Sequence, residues 1–417
     1  MTRALGALLP LSSQNKFRDN GGFRSLADTS VLLSTPLIAL TKPHAAANFL
    51  KLSKSYEEIR YGSHDMQRME LYLPSSTTTS DNDVRGLVFF VHGGAWGSGM
   101  PWMYRLVALP FLEELRMAVV IVGYRTYPDA NVSEQVDDLV SAAIEFARVK
   151  PDLIQKKKKY KNNTRGGDDT NEWLGNSIIG HSSGAHIAFL MLLKHLCLKS
   201  KLIKSQRNKL KEKEISKIDM SSLSSILGID FDSFVGLSGP YDISHHFDYE
   251  AGRGVEEISP MKPACGHSRE DFHVASPAIL LTKLIAMNDI LEEGTVQNDD
   301  GKNDDNADVD SLLQQYGSCC PSMFLPRILM VHGMEDGTVP FTATSEAARI
   351  LRSCGVTNLD ELYLAQTGHE DTVMHFMLGG EAKDGTLKWL KDEYCLNGKD
   401  DSTATSKKVM VSNQSRL

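Results

Sequence analysis

Gly180-His181-Ser182-Ser183-Gly184 constrains this chain more than any other segment. Before it, Asn176-Ser177-Ile178-Ile179 reads as a short buried strand, and after it the apolar stretch from Ala185 to Leu193 reads as a helix. A G-x-S-x-G that joins a strand to a helix needs a turn so tight that side chains flanking the central serine would collide. That need accounts for the two glycines. The turn lifts the Ser182 hydroxyl above the end of a sheet and commits the chain to an α/β architecture.

Two later segments complete a pattern. Ile328-Leu329-Met330-Val331-His332 is a buried strand that runs into a turn presenting Asp336. Leu362-Tyr363-Leu364 is a last strand, followed by a loop that carries His369. The order Ser182, Asp336, His369 is that of α/β-hydrolases and not of chymotrypsin or subtilisin. A fourth element, His92-Gly93-Gly94-Ala95-Trp96, directly follows the strand Gly86-Leu87-Val88-Phe89-Phe90. Acyl transfer needs preorganised donors for a negative oxygen, each worth about 2.7–4 kcal/mol. The N–H groups of Gly93 and Gly94, with no Cβ in the way, and that of Ser183 are the expected oxyanion hole. His369 is then the base for Ser182, and Asp336 fixes its tautomer. This chemistry requires no metal and no organic cofactor. His92 and His332, at strand ends, are expected to brace loops, and nothing acidic around His181 or His186 suggests a metal.

Among the 417 residues, 41% are hydrophobic, enough for a sizeable core, and the net charge of −8 argues against bulk nucleic-acid binding. The six cysteines form no C-x-x-C pair, which favours a reducing compartment. No stretch reaches the roughly 20 apolar residues of a transmembrane span. Residues 1–55 hold seven basic residues against Asp19 and Asp28, a composition equally suited to a targeting peptide and to a disordered leader. The ending Ser415-Arg416-Leu417 is a variant of the S-K-L peroxisomal address, which implies an import receptor as partner and a peroxisomal location. The alternatives are the cytoplasm and an association with the endoplasmic reticulum.

Short apolar runs near Glu57–Tyr61, Met69–Leu73, Gly86–Val91, Met117–Gly123, Ser177–Gly180, Ser233–Ser238, Arg327–His332 and Glu361–Ala365 predict a mostly parallel eight-stranded sheet with helices on both faces. The expected organisation is a leader over 1–55, one α/β-hydrolase domain over 56–397 and a polar tail over 398–417. Lys156–Asp169 and Lys199–Lys217 are basic insertions, and Glu292–Asp310, with eight acids and one lysine, is expected to be disordered. Residues between Gly239 and Pro326 are expected to cover the active site. The substrate pocket is expected there and beside Trp96, Trp102 and Met103, with His245 and His246 lining it.

With these residues in hand, the chain resembles α/β-hydrolases of the hormone-sensitive-lipase type, above all the isoprenylcysteine α-carbonyl methylesterases and the kynurenine formamidases. The likeness is carried by Leu71-Tyr72-Leu73-Pro74, His92-Gly93-Gly94-Ala95-Trp96, Tyr124-Arg125-Thr126-Tyr127-Pro128, Gly180-His181-Ser182-Ser183-Gly184-Ala185-His186 and Gly236-Leu237-Ser238-Gly239-Pro240-Tyr241-Asp242. Ser276-Pro277 and the Asp336 and His369 segments add to it. The resemblance implies hydrolysis of a carboxyl ester through an acyl-enzyme, with a small-molecule ester such as a prenylcysteine methyl ester as substrate. The same machinery could cleave an aryl formamide, and a silent ligand receptor on this fold is the non-enzymatic alternative. Ser183 stands where the methylesterases commonly have alanine.

Overall fold

The computed structural model describes residues 11–25, 27, 41–75, 84–154, 173–209, 228–283, 325–396 and 409–412. The first insertion, the acidic insertion and the Ser415-Arg416-Leu417 ending lie outside these residues. The second insertion is described only as far as residue 209.

Nine strands form one sheet in the order β1-β2-β4-β3-β5-β6-β7-β8-β9. They are β1 (Glu57–Arg60), β2 (Arg68–Tyr72), β3 (Leu87–Val91), β4 (Ala118–Val122), β5 (Asn176–His181), β6 (Ser233–Leu237), β7 (Arg327–Gly333), β8 (Leu359–Leu364) and β9 (Val409–Ser412). β1 pairs antiparallel with β2, and β2 with β4, whereas every pairing from β4 through β9 is parallel. This is the α/β-hydrolase fold. All eight expected strands are present. The ninth, from Val-Met-Val-Ser in the segment read as a polar tail, adds to the edge at β8.

The central strands are continuous apolar runs because both of their faces are covered. Leu87-Val88-Phe89-Phe90-Val91 and Ala118-Val119-Val120-Ile121-Val122 are buried throughout. One core packs helix Val132–Val149 and the start of helix Ser183–Lys209 onto one face. The other packs Phe111, Phe376 and Trp389 onto the opposite face. Helix Val132–Val149 begins at Asn131, whose side chain accepts from the Glu134 N–H while the Glu134 carboxylate accepts from the Asn131 N–H. This reciprocal cap fixes the helix start.

Chain order reverses at β3, with β4 on one side and β5 on the other, and a crevice opens beyond the carboxyl ends of the strands at such a reversal. The 3-10 helix Pro101–Val107 flanks that end. Arg105 holds it to the sheet by a two-pronged ion pair with buried Glu70 on β2, at 2.7 and 2.8 Å, and lies over the Tyr56 ring at 4.7 Å. Tyr72 also donates its hydroxyl to Glu70. Arg105→Ala leaves that carboxylate buried without its cation, a loss of about 3–5 kcal/mol. A urea titration should show the lower midpoint, and an unchanged midpoint would refute the anchor.

Residues 11–25, from the segment read as a leader, are largely helical and rest on the domain. Arg24 donates to the carbonyls of Thr126 and Tyr127 at 2.6 and 2.8 Å and pairs with Asp129 at 2.7 Å. Tyr127 donates its hydroxyl to Asp19 at 2.7 Å. Among the described residues no helix is long and apolar enough to cross a membrane.

Candidate active site

Ser182 follows β5 in a left-handed conformation, with φ of 53°. Its N–H is held by the Leu237 carbonyl of the neighbouring strand at 2.8 Å. Gly184 makes the turn possible, since a Cβ there would come within 2.3 Å of the Val91 and His92 carbonyls. Helix Ser183–Lys209 starts at the next residue, so the positive end of its dipole lies beneath the serine.

The structure brings the three residues of the expected triad together. His369 Nδ1–H donates to Asp336 Oδ2 at 2.7 Å, and the Ser182 hydroxyl donates to His369 Nε2 at 2.9 Å. Their relative exposures are only 7% for Asp336 and 8% for Ser182 and His369, so the whole relay is shielded from bulk water. The loops that carry acid and base are joined: the Met334 N–H bonds the Leu364 carbonyl, and the Glu335 N–H bonds that of Thr367. Burial raises the Asp336 pKa, but hydrogen bonds from His332 and His369 more than offset it and hold the carboxyl well below the usual carboxylate range. For His369, burial opposes protonation, while the hydrogen bond and charge of Asp336 outweigh it and raise its pKa above the ordinary value.

The glycine loop lies against this relay. A Cβ on Gly93 would stand 3.0 Å from Ser182 Cβ. Gly94 has φ of 138°, and its carbonyl accepts from Gly97 and Ser98, which turns its peptide away from strand geometry. Among the described residues no main-chain carbonyl accepts the N–H of Gly93, Gly94 or Ser183. The Gly93 main chain also lies beside the Tyr104 hydroxyl. His92 Nδ1–H donates to the Gly93 carbonyl at 2.9 Å, and its ring stacks on Tyr124 at 4.4 Å. Burial pushes the His92 pKa down to about 4, so it braces the loop as a neutral ring.

The expected pocket residues are placed less uniformly. Trp96 does not line a pocket: it is 1% exposed, and its indole N–H donates to His186 Nδ1 at 3.0 Å. The loop turns this ring inward, because Trp96 itself has φ of 59° and its carbonyl is held by Gln135 and Tyr127. His246 is buried beneath Trp96, 6.0 Å between ring centroids, and reaches Glu250. His245, on the same helix Ile243–Gly252, faces outward and pairs with Glu346 at 2.7 Å. A helix separates neighbouring side chains by about 100°, so the two histidines could not share one wall. Trp102 remains partly exposed on the 3-10 helix, edge-on to Phe49 at 6.5 Å.

Tyr104 and Arg24 were not expected near the site. No periodic pattern marks them, since each acts through a contact distant in sequence. Arg24 lay within a stretch whose composition resembles a leader.

The BD-FAE family model matches residues 69–245. A probable isoprenylcysteine alpha-carbonyl methylesterase of Oryza sativa subsp. japonica is 24% identical, over 86% of this chain and 67% of its own length. A probable isoprenylcysteine alpha-carbonyl methylesterase of Arabidopsis thaliana is 25% identical over 84% of this chain, which spans only 57% of that relative's length. Kynurenine formamidase of Salmo salar is 26% identical over 34% of this chain and 40% of that relative. Among solved structures, esterase B from Lactobacillus Rhamnosis matches with a TM-score of 0.50 at 15% identity, over 89% of this chain and 97% of that one.

Proposed function

Because this chain is a hormone-sensitive-lipase-like α/β-hydrolase, we propose that it is a serine carboxylesterase whose nucleophile is Ser182, whose base is His369 and whose acid is Asp336. The reading rests on the unbroken hydrogen-bonded run from Asp336 through His369 to Ser182. His369 Nε2 takes the Ser182 proton as Oγ attacks the ester carbonyl. The negative oxygen that forms turns towards the N–H groups of Gly93, Gly94 and Ser183. Collapse breaks the bond to the alcohol, which leaves with the proton from His369. Water, activated by the same imidazole, then releases the acid from the acyl-enzyme.

The substrate we infer is an apolar ester with a small alcohol, of the prenylcysteine methyl ester type. Its support is the methylesterase relatives, which align over 79–86% of the chain, against 34% for the kynurenine formamidase. Turnover of S-farnesylcysteine methyl ester, p-nitrophenyl butyrate and N-formylkynurenine tests this directly. The farnesylcysteine ester should give the highest kcat/KM, and preference for the formamide would overturn the ester reading.

Proton transfer needs a neutral His369, so kcat/KM should fall as pH drops through its pKa. Because that pKa is raised, the acid limb is expected above the ordinary histidine value of 6.5. A limb below that value would contradict the Asp336–His369 coupling.

A further inference from the structure

Asp336 receives more donors than one imidazole requires. Its Oδ1 accepts the N–H groups of Thr338 and Val339 at 2.8 and 2.9 Å. Its Oδ2 accepts from His369 at 2.7 Å. A second imidazole, that of His332 on β7, brings Nε2 to 3.1 Å from the same Oδ2. That nitrogen also lies 3.0 Å from the Val339 carbonyl. Both neighbours are acceptors, so Nε2 carries a hydrogen. Nδ1 lies 2.7 Å from Thr344 Oγ1, which anchors the other side of the ring. Both side chains of the His332–Asp336 pair are 0% exposed, so water does not screen the interaction.

We propose that His332 is a positioning residue of the triad: its ring, with hydrogen on Nε2, holds Asp336 Oδ2 towards His369 and limits how basic His369 becomes. The proposal rests on the reading of Ser182, His369 and Asp336 as a working triad. An oxygen that faces two N–H dipoles is a weaker acceptor for each than an oxygen that faces one. With less negative charge available to His369, its protonated form is less favoured, and more of it is ready to act as base near neutral pH.

Other charged or titratable groups also face the dyad. His181 on β5 lies 5.2 Å from the His369 ring, and Glu370 adjoins it in sequence. Glu370 favours protonated His369, and Arg253, on the residue after helix Ile243–Gly252, disfavours it. Arg253 and Tyr249 hold the acid loop through the Thr338 and Gly337 carbonyls, at 3.4 and 3.1 Å. His332 differs from all of these in standing directly against the carboxylate oxygen that His369 uses.

The test is the pH dependence of fluorophosphonate inactivation and of kcat/KM for p-nitrophenyl acetate in wild type, His332→Leu, His332→Gln and Thr344→Val. His332→Leu removes the donor and should move the acid limb upward by about 0.5–1 pH unit, with a lower plateau. His332→Gln, whose amide N–H can reach Oδ2, should return the limb towards the wild-type position. Thr344→Val frees the ring from its other partner and should shift the limb the same way by less, which keeps the question open to test if His332→Leu does not fold. An unmoved or downward limb in folded His332→Leu or Thr344→Val overturns the proposal. So does a His332→Gln limb displaced as far as that of His332→Leu. A working wild type combined with any of these results removes the role of His332 alone, whereas a folded wild type that neither labels nor turns over removes the triad reading with it.

Discussion

Ser182→Ala lowers kcat towards p-nitrophenyl acetate by on the order of 10⁶, while the protein remains folded. The substitution deletes one oxygen, the atom that donates to His369 Nε2 at 2.9 Å. The backbone that carries Ser182 is held independently, by the Leu237 carbonyl and by the start of helix Ser183–Lys209. Stability should therefore change little, and circular dichroism with a thermal melt separates loss of chemistry from loss of fold. Residual turnover would come from binding and from the oxyanion donors, which survive removal of a triad member. A loss of only a few fold would mean that the nucleophile lies elsewhere.

The second large effect is expected for Asp336→Asn, a drop in kcat of on the order of 10⁴. Here the surroundings dictate which way the new amide turns. The Thr338 and Val339 N–H groups donate to Oδ1, so the asparagine carbonyl belongs there. The NH₂ group then replaces Oδ2 and faces His369 Nδ1 as a donor. His369 must respond by accepting at Nδ1 and carrying its hydrogen on Nε2, where it can no longer take the proton of Ser182. The same NH₂ also confronts the N–H of His332, 3.1 Å from the oxygen that it replaces, so that Asp336→Asn should cost some stability as well. Steady-state kinetics and a thermal melt report the two effects separately. Activity within tenfold of wild type would exclude the tautomer role of Asp336.

The architecture could be read from the chain because buried parallel strands are uninterrupted apolar runs, and Leu87–Val91, Ala118–Val122 and Ser233–Leu237 are such runs. The short β9 was hidden because three apolar residues and a serine within a polar segment are too short a run to notice. Ser182, Asp336 and His369 were picked out because each sits where a strand ends, and the topology of a parallel sheet gathers those ends at one edge. Direction was harder to read than position. Trp96 follows two glycines and invites the expectation of a pocket wall, yet its positive φ sends the ring inward to His186. His245 and His246 are neighbours in sequence, and the helix that carries them sends one to Glu346 and the other into the core. Contacts between distant segments leave no local trace at all: Glu70 with Arg105, and Arg24 with the carbonyls after β4.

The most direct test of a serine hydrolase at this site is fluorophosphonate labelling of folded wild type and Ser182→Ala, with the adduct located by mass spectrometry. The account predicts one adduct, on the peptide that contains Ser182, in wild type and none in the variant. Folded wild type that takes no label, as a silent ligand receptor would, or an adduct that persists in Ser182→Ala, would contradict it.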